Sequence, residues 1–160
     1  VEVVLQLLVA SDDDVAAALP GGQGAEPLPV ALQQANVLVL EDHPVAQAMM
    51  AWRLEKLGVR HALASDGRQG LHLLASQPFS LVIADCHMPV MDGYVFTRLL
   101  REREGRTGGP RLPVVALTAS TLADDQRRCH DAGMDEVLLK PLSLAQLREC
   151  LLRWLTPPQG

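Results

Sequence analysis

Cysteines, aromatic residues and long apolar runs are all scarce in this chain, and each shortage closes off a class of function. Its three cysteines, Cys86, Cys129 and Cys150, lie far apart with no Cys-x-x-Cys pair, which leaves the thiols as ordinary filler suited to a reducing cytoplasm. Aromatics make up 3% of the chain, and no basic cluster interleaves with them. With a formal net charge of -5, a nucleic-acid surface is not expected. No apolar run approaches the roughly 18 residues that a membrane helix needs, so this segment is expected to make no direct membrane contact. The opening VEVVLQLLVASDDD lacks the basic stretch of a signal peptide. No glycine-rich phosphate cradle occurs, so a bound nucleotide is not expected. There is no internal repeat. What remains is an acidic chain of 160 residues, 48% hydrophobic, sized for one domain with a real core.

Two regions separate by composition. Residues 1–35 hold a short β-like run (Val1 to Val9), an acidic Ser11-Asp12-Asp13-Asp14, and the loop formers Pro20-Gly21-Gly22 and Pro27-Leu28-Pro29. That is linker chemistry, expected to be mostly irregular over residues 10–35 and dispensable for the folding of residues 36–156. From Asn36 onward, apolar runs alternate with helical patterns. Val37-Leu38-Val39-Leu40 reads as a parallel strand buried on both faces. Pro44 suits a first helical turn, and Gly58 a stop after Leu57. Further strands are predicted over Val59 to Ala64, Leu81 to Ala84, Val114 to Leu117 and Val137 to Leu139. The remaining helices are predicted over Asp66 to Ala75, Gly93 to Glu104, Thr121 to Asp131 and Ser143 to Leu155, with a loop at Gly105 to Pro110. Five strands alternating with five helices predict a parallel sheet covered on both faces. Ligands of such sheets bind at the carboxyl ends of the strands.

The residues at those ends carry the chemistry. The first strand runs into Glu41-Asp42, the third into Asp85, the fourth into Thr118 and the fifth into Lys140-Pro141. The stretch LVIADCHMPVMDG shows the oddity most clearly, since a buried strand gains nothing from an unpaired carboxylate at its tip. Converging carboxylates raise one another's pKa unless a cation intervenes, and Mg²⁺ held by few carboxylates and several waters meets that need. An aspartate nucleophile beside a metal, with a hydroxyl and an ammonium to hold an anion, suits an aspartyl-phosphate. Taken singly, each residue has a plainer use. Asp85 or Asp42 would cap a turn or helix, Thr118 would cap the next helix, and Lys140 would be a solvated lysine. Cys86-His87-Met88 invites a copper site, but no second ligand cluster accompanies it.

Together, Glu41-Asp42, DCHMPVMDG, Thr118-Ala119 and Lys140-Pro141 after Gly133-Met134-Asp135 resemble the receiver domain of two-component response regulators, over about Asn36 to Leu155. The resemblance implies an α/β, flavodoxin-like fold with five parallel strands in the order 2-1-3-4-5. It makes Asp85 the phosphoacceptor and Glu41, Asp42, Asp85 and the backbone carbonyl of His87 the Mg²⁺ ligands. Thr118 and Lys140 would hold the phosphoryl group, and the bond before Pro141 would be cis. The implied partner is a histidine kinase or histidine phosphotransfer domain. One departure concerns Val137, where many receivers carry the Tyr or Phe of a rotamer switch; a relay station suits its absence better than an output switch does. Residues 1–35 weakly resemble the end of a kinase ATP-binding domain plus a linker, with the receiver over 36–156 and a further linker starting at 157–160. The parent protein would then be a hybrid sensor histidine kinase, cytoplasmic over this segment and with room for an inner-membrane anchor in another.

Helix periodicity adds a candidate surface. Met50, Leu54 and Leu57 form the stripe that should face the sheet. Val45, Ala48, Met49 and Trp52 form a second stripe, which either packs under the N-terminal segment or docks a partner helix. Two other readings stand beside the phosphoacceptor: a receiver-like module that regulates a partner by contact alone, and a flavodoxin-like hydrolase using Asp85 on small substrates.

Overall fold

A computed structural model of the protein describes residues 27–29, 32–119 and 121–155. The β-like run at Val1 to Val9, the loop formers up to Glu26 and the stretch 157–160 lie outside the described residues. Five strands, β1 (Asn36–Leu40), β2 (Arg60–Ala64), β3 (Leu81–Asp85), β4 (Val114–Thr118) and β5 (Glu136–Leu139), alternate with five helices. The helices are α1 (Pro44–Leu57), α2 (Gly67–Ser76), α3 (Gly93–Thr107), α4 (Ala123–Ala132) and α5 (Leu144–Leu155). The sheet is parallel throughout, in the expected order β2-β1-β3-β4-β5.

The apolar runs are continuous because the sheet is buried on both faces. Along β1 and β3, Val37, Val39, Leu81 and Ile83 enter one core with Met50, Leu54 and Leu57 of α1 and Leu147 and Leu151 of α5. Their alternates, Leu38, Leu40, Val82 and Ala84, enter a second core with Phe96 and Leu100 of α3 and Cys129 of α4. Both cores fix the register, since a one-residue slip would exchange their contents.

Local chemistry sets most helix ends. Pro44 opens α1, and Gly58 closes it in the left-handed conformation at φ 80°. The Asp66 and Asp92 side chains accept from the amides of Gln69 and Val95, capping α2 and α3. Ser143 and Gln146 cap α5 reciprocally, each side chain bonded to the other's amide. Two ends depart from expectation by more than one residue. Helix α3 continues through Gly105 to Thr107, and Gly108 supplies the left-handed stop at φ 70°. Helix α4 starts at Ala123, with Leu122 at the cap position and no side-chain cap from Thr121.

The core also reaches upstream of Asn36. Leu28 is 2% exposed and packs into the same core as α1 and α5. Its amide donates to Leu57 O at 2.9 Å, and Gln33 Nε2 donates to Leu28 O at 2.7 Å. A stretch whose prolines read as linker therefore adds a buried leucine to the domain.

Candidate functional site

The parallel register brings the acidic residues together. Leu40 pairs with Ala84, so the next residues, Glu41 and Asp85, emerge side by side from β1 and β3. Ligand oxygens of Glu41, Asp42 and Asp85 all lie within 4.8 Å of one another. Glu41 and Asp85 are buried, whereas Asp42 is exposed. Thr118 ends β4 at the same edge, 1% exposed. Its carbonyl accepts from the Lys140 amide at 2.9 Å, which fixes where the lysine leaves β5. The Lys140–Pro141 peptide is cis.

Lys140 Nζ reaches across to Asp85 Oδ2 at 2.9 Å and Glu41 Oε2 at 3.3 Å. Backbone amides hold the opposite oxygens: His87 N donates to Asp85 Oδ1 and His43 N to Glu41 Oε1, each at 3.1 Å. Gln47 Nε2 donates to Glu41 O and, at 3.2 Å, meets Ser65 Oγ, so α1 is tied to the ends of β1 and β2. Burial raises the Glu41 pKa; the His43 amide opposes that, the Asp85 charge adds to it, and Lys140 offsets only part. Burial also acts against the charged form of Lys140, but its bond to Asp85 and the two carboxylate charges outweigh this and raise its pKa. Three ionised carboxylates against one ammonium leave two negative charges, the deficit that one divalent cation fills. The donor set is all oxygen, as Mg²⁺ requires.

Gly93, predicted from the sequence as a helix start, has a tighter duty. A Cβ there would lie 2.5 Å from the carbonyl oxygen of Asp85. Only glycine lets α3 start this close to the acidic residue. The neighbouring thiols are less eventful. Burial first, then the adjacent Cys129, pushes the Cys86 thiol up to about 12, so it is no nucleophile. The His87 ring packs edge-on to buried Tyr94, 5.8 Å between centroids, rather than turning toward the carboxylates.

Beside the acidic edge, α1 presents an apolar surface. Val45, Met49 and Trp52 are 61%, 49% and 44% exposed and, with Pro44 and Ala48, line a shallow groove. Among the described residues nothing packs over it, while Met50, Leu54 and Leu57 are buried on the opposite side.

Known proteins resemble this chain in sequence and fold. Residues 37–152 match the family model of the response regulator receiver domain. Sensor histidine kinase RcsC of Escherichia coli K12 is 34% identical over 147 residues, which is 92% of this chain and 15% of that protein. RcsC of Salmonella typhi is 38% identical over 115 residues, 72% of this chain and 12% of that protein. The chain thus spans a small fraction of the relatives it matches. Among solved structures, the receiver domain of sensor histidine kinase PA1611 from Pseudomonas aeruginosa PAO1 is 38% identical with a TM-score of 0.69, covering 78% of this chain and 99% of that one; it holds a magnesium ion in its active-site cleft. The receiver domain of Saccharomyces cerevisiae Ssk1, in complex with the histidine phosphotransfer protein Ypd1, gives 27% identity and a TM-score of 0.73 over 77% of this chain and 90% of that one. By sequence, topology and strand-end chemistry alike, this chain belongs to the response regulator receiver domain family.

Proposed function

We propose that this domain accepts a phosphoryl group on Asp85 from the phosphohistidine of a histidine kinase or histidine phosphotransfer domain, as a station of a two-component phosphorelay. The observation that carries the reading is the buried Asp85 carboxylate held by Lys140 at 2.9 Å inside an acidic, oxygen-only cluster. In the transfer, a carboxylate oxygen of Asp85 attacks phosphorus, the phosphorus–nitrogen bond breaks, and the imidazole leaves with its electron pair. Lys140 and the Thr118 hydroxyl hold the phosphoryl oxygens. Glu41, Asp42, Asp85 and the backbone carbonyl of His87 would hold Mg²⁺, which when bound supplies charge neutralisation for the incoming phosphoryl oxygens. Support for the metal comes from the fit of the donor set and from the magnesium in the PA1611 receiver.

The exposed stripe of Val45, Met49 and Trp52 would dock a partner helix that carries the histidine; the Ssk1 receiver is itself solved in complex with a histidine phosphotransfer protein. The parent protein is taken to be a hybrid sensor histidine kinase, with this receiver on its cytoplasmic side; its relatives are sensor histidine kinases many times longer than this chain. Among the described residues no helix is long and apolar enough to cross a membrane. Incubation with acetyl phosphate and Mg²⁺, followed by peptide mapping, should place one base-labile phosphoryl group on Asp85. Undiminished labelling of Asp85→Asn would remove the reading, and labelling without a divalent ion would remove the metal's part in it.

A further inference from the structure

A second cavity, of about 430 Å³, lies between α1 and the loop after β5. Its floor is the core itself, where Val39, Met50, Leu117 and Leu142 turn apolar faces toward it. It is open because small residues, Ala46 on α1 and Ala119 after β4, stand where larger ones would fill it. Two cations line it, and they are not equivalent. Lys140 is engaged by Asp85 and Glu41. Arg53 is half-buried and pairs with no carboxylate among the described residues; burial alone lowers its pKa. A guanidinium partly shielded from water and without a counter-charge is a group that an anionic ligand would complement.

We propose that this cavity is a binding site for a small amphipathic carboxylate, its chain against Met50, Leu117 and Leu142 and its carboxylate paired with Arg53. The guanidinium fork matches a planar carboxylate through two parallel hydrogen bonds. Glu41 at the far rim disfavours a more highly charged phosphate. From Ala46 to Arg53 the helix covers about 10 Å, the length of a chain of roughly six to ten carbons. An apolar wall with few polar groups and a volume in the hundreds of cubic ångströms is the usual form of a small-molecule site. Because the cavity reaches buried Val39 and Leu117, whereas the outer groove that shares Met49 is lined by exposed residues of α1, the site suits a free small molecule better than the side of a docking helix. Occupancy would reach the relay through Met49 and the Lys140–Pro141–Leu142 wall.

Octanoate and 1-octanol, titrated below their micelle or solubility limits into protein with ¹³C-methyl methionine, separate the parts of this proposal. Octanoate should shift the Met49 and Met50 methyl signals saturably and bind about tenfold more tightly than octanol. Arg53→Met should abolish that preference and leave octanol affinity unchanged, while Ala46→Leu should weaken both ligands. Absence of saturable shifts, or equal affinity for acid and alcohol in the wild type, overturns it. So does a failure to bind octanoate combined with slowed transfer between Arg53→Met and a phosphohistidine protein, which would give the cavity to the protein partner. None of these titrations needs Asp85 to be phosphorylated, so they stand or fall apart from the relay assignment.

Discussion

Lys140 Nζ lies 2.9 Å from Asp85 Oδ2, joining two residues 55 positions apart across the carboxyl edge of the sheet. The same ammonium also reaches Glu41, so one cation serves two buried carboxylates. Lys140→Ala should therefore leave those carboxylates facing each other uncompensated, which pushes the Glu41 pKa further up. Mg²⁺ still neutralises the cluster, so its binding should survive the substitution. The conformational response to phosphorylation should not, because no fixed charge remains to follow the phosphoryl oxygens. Amide spectra of Lys140→Ala and Thr118→Ala on adding beryllofluoride test this: shifts as large as those of the wild type would contradict the coupling.

Mg²⁺ and protons should compete for Glu41. Burial first, and then Asp85, hold its pKa above the ordinary 4.5 despite Lys140. A carboxylate whose folded pKa is raised costs stability above that pKa, and the cost fades as pH falls toward the unfolded value. Mg²⁺ needs the ionised form, so its stabilising effect should be largest near pH 7.5 and shrink as pH falls through the raised pKa toward 4.5. Thermal unfolding with and without millimolar MgCl₂ across this range gives the answer. A magnesium increment independent of pH would mean that Glu41 takes no part in the site. Glu41→Gln should flatten the pH dependence.

The acidic edge was legible in the sequence because each of its residues directly succeeds an apolar run, and the runs are long enough to count strands. The strand order came from the resemblance to receiver domains, and the register from a sheet buried on both faces, which has no freedom to slip. What could not be read depends on three-dimensional approach. Leu28 sits between two prolines, so its neighbours say loop, yet the loop folds back to lay one leucine on α1 and α5. Gly93 reads as an ordinary turn glycine until the Asp85 carbonyl is seen 2.5 Å from where a Cβ would stand. The cavity at Arg53 needs Ala46, Ala119 and Leu142 to meet from three separate elements.

Leu28→Ala should destabilise the domain by about 2–5 kcal/mol, the range for emptying a fully buried leucine site. A chain starting at Gln34 should lose at least as much, since it removes the leucine along with the bond to Leu57 O. Urea unfolding of both against the full chain measures this. Midpoints equal to that of the full chain would show that the segment merely rests on the domain.

Two glycine substitutions in the same helix should behave oppositely. Gly93→Ala forces α3 away from the Asp85 carbonyl and should cost about 1–3 kcal/mol, with slower acetyl-phosphate labelling as the acceptor shifts. Gly105→Ala meets nothing within 4 Å and should stabilise α3 by up to about 1 kcal/mol through helix propensity. Paired melting curves and labelling rates decide it; equal effects would mean that the contact at Asp85 imposes no constraint.

Trp52→Ala should separate docking from chemistry. The ring is 44% exposed on α1, one turn beyond Met49, with Lys56 Nζ 5.6 Å from its centre. The stripe it shares with Val45 begins within a turn of Asp42, so a helix laid along it can bring a histidine over Asp85. Tryptophan dominates such interfaces, and truncating an anchor costs about 2 kcal/mol or more, a slowing of roughly thirtyfold when the loss falls on the encounter complex. Transfer from a phosphorylated histidine phosphotransfer protein should fall by that order, while labelling of Asp85 by acetyl phosphate, which needs no dock, stays within about twofold. Equal loss in both assays would make Trp52 a residue of the fold, and loss in neither would move the dock to another face. Val137 leads to the same expectation: with no aromatic ring on β5 to carry a rotamer signal, the proposed relay role asks only for access to Asp85, which a dock along α1 would give.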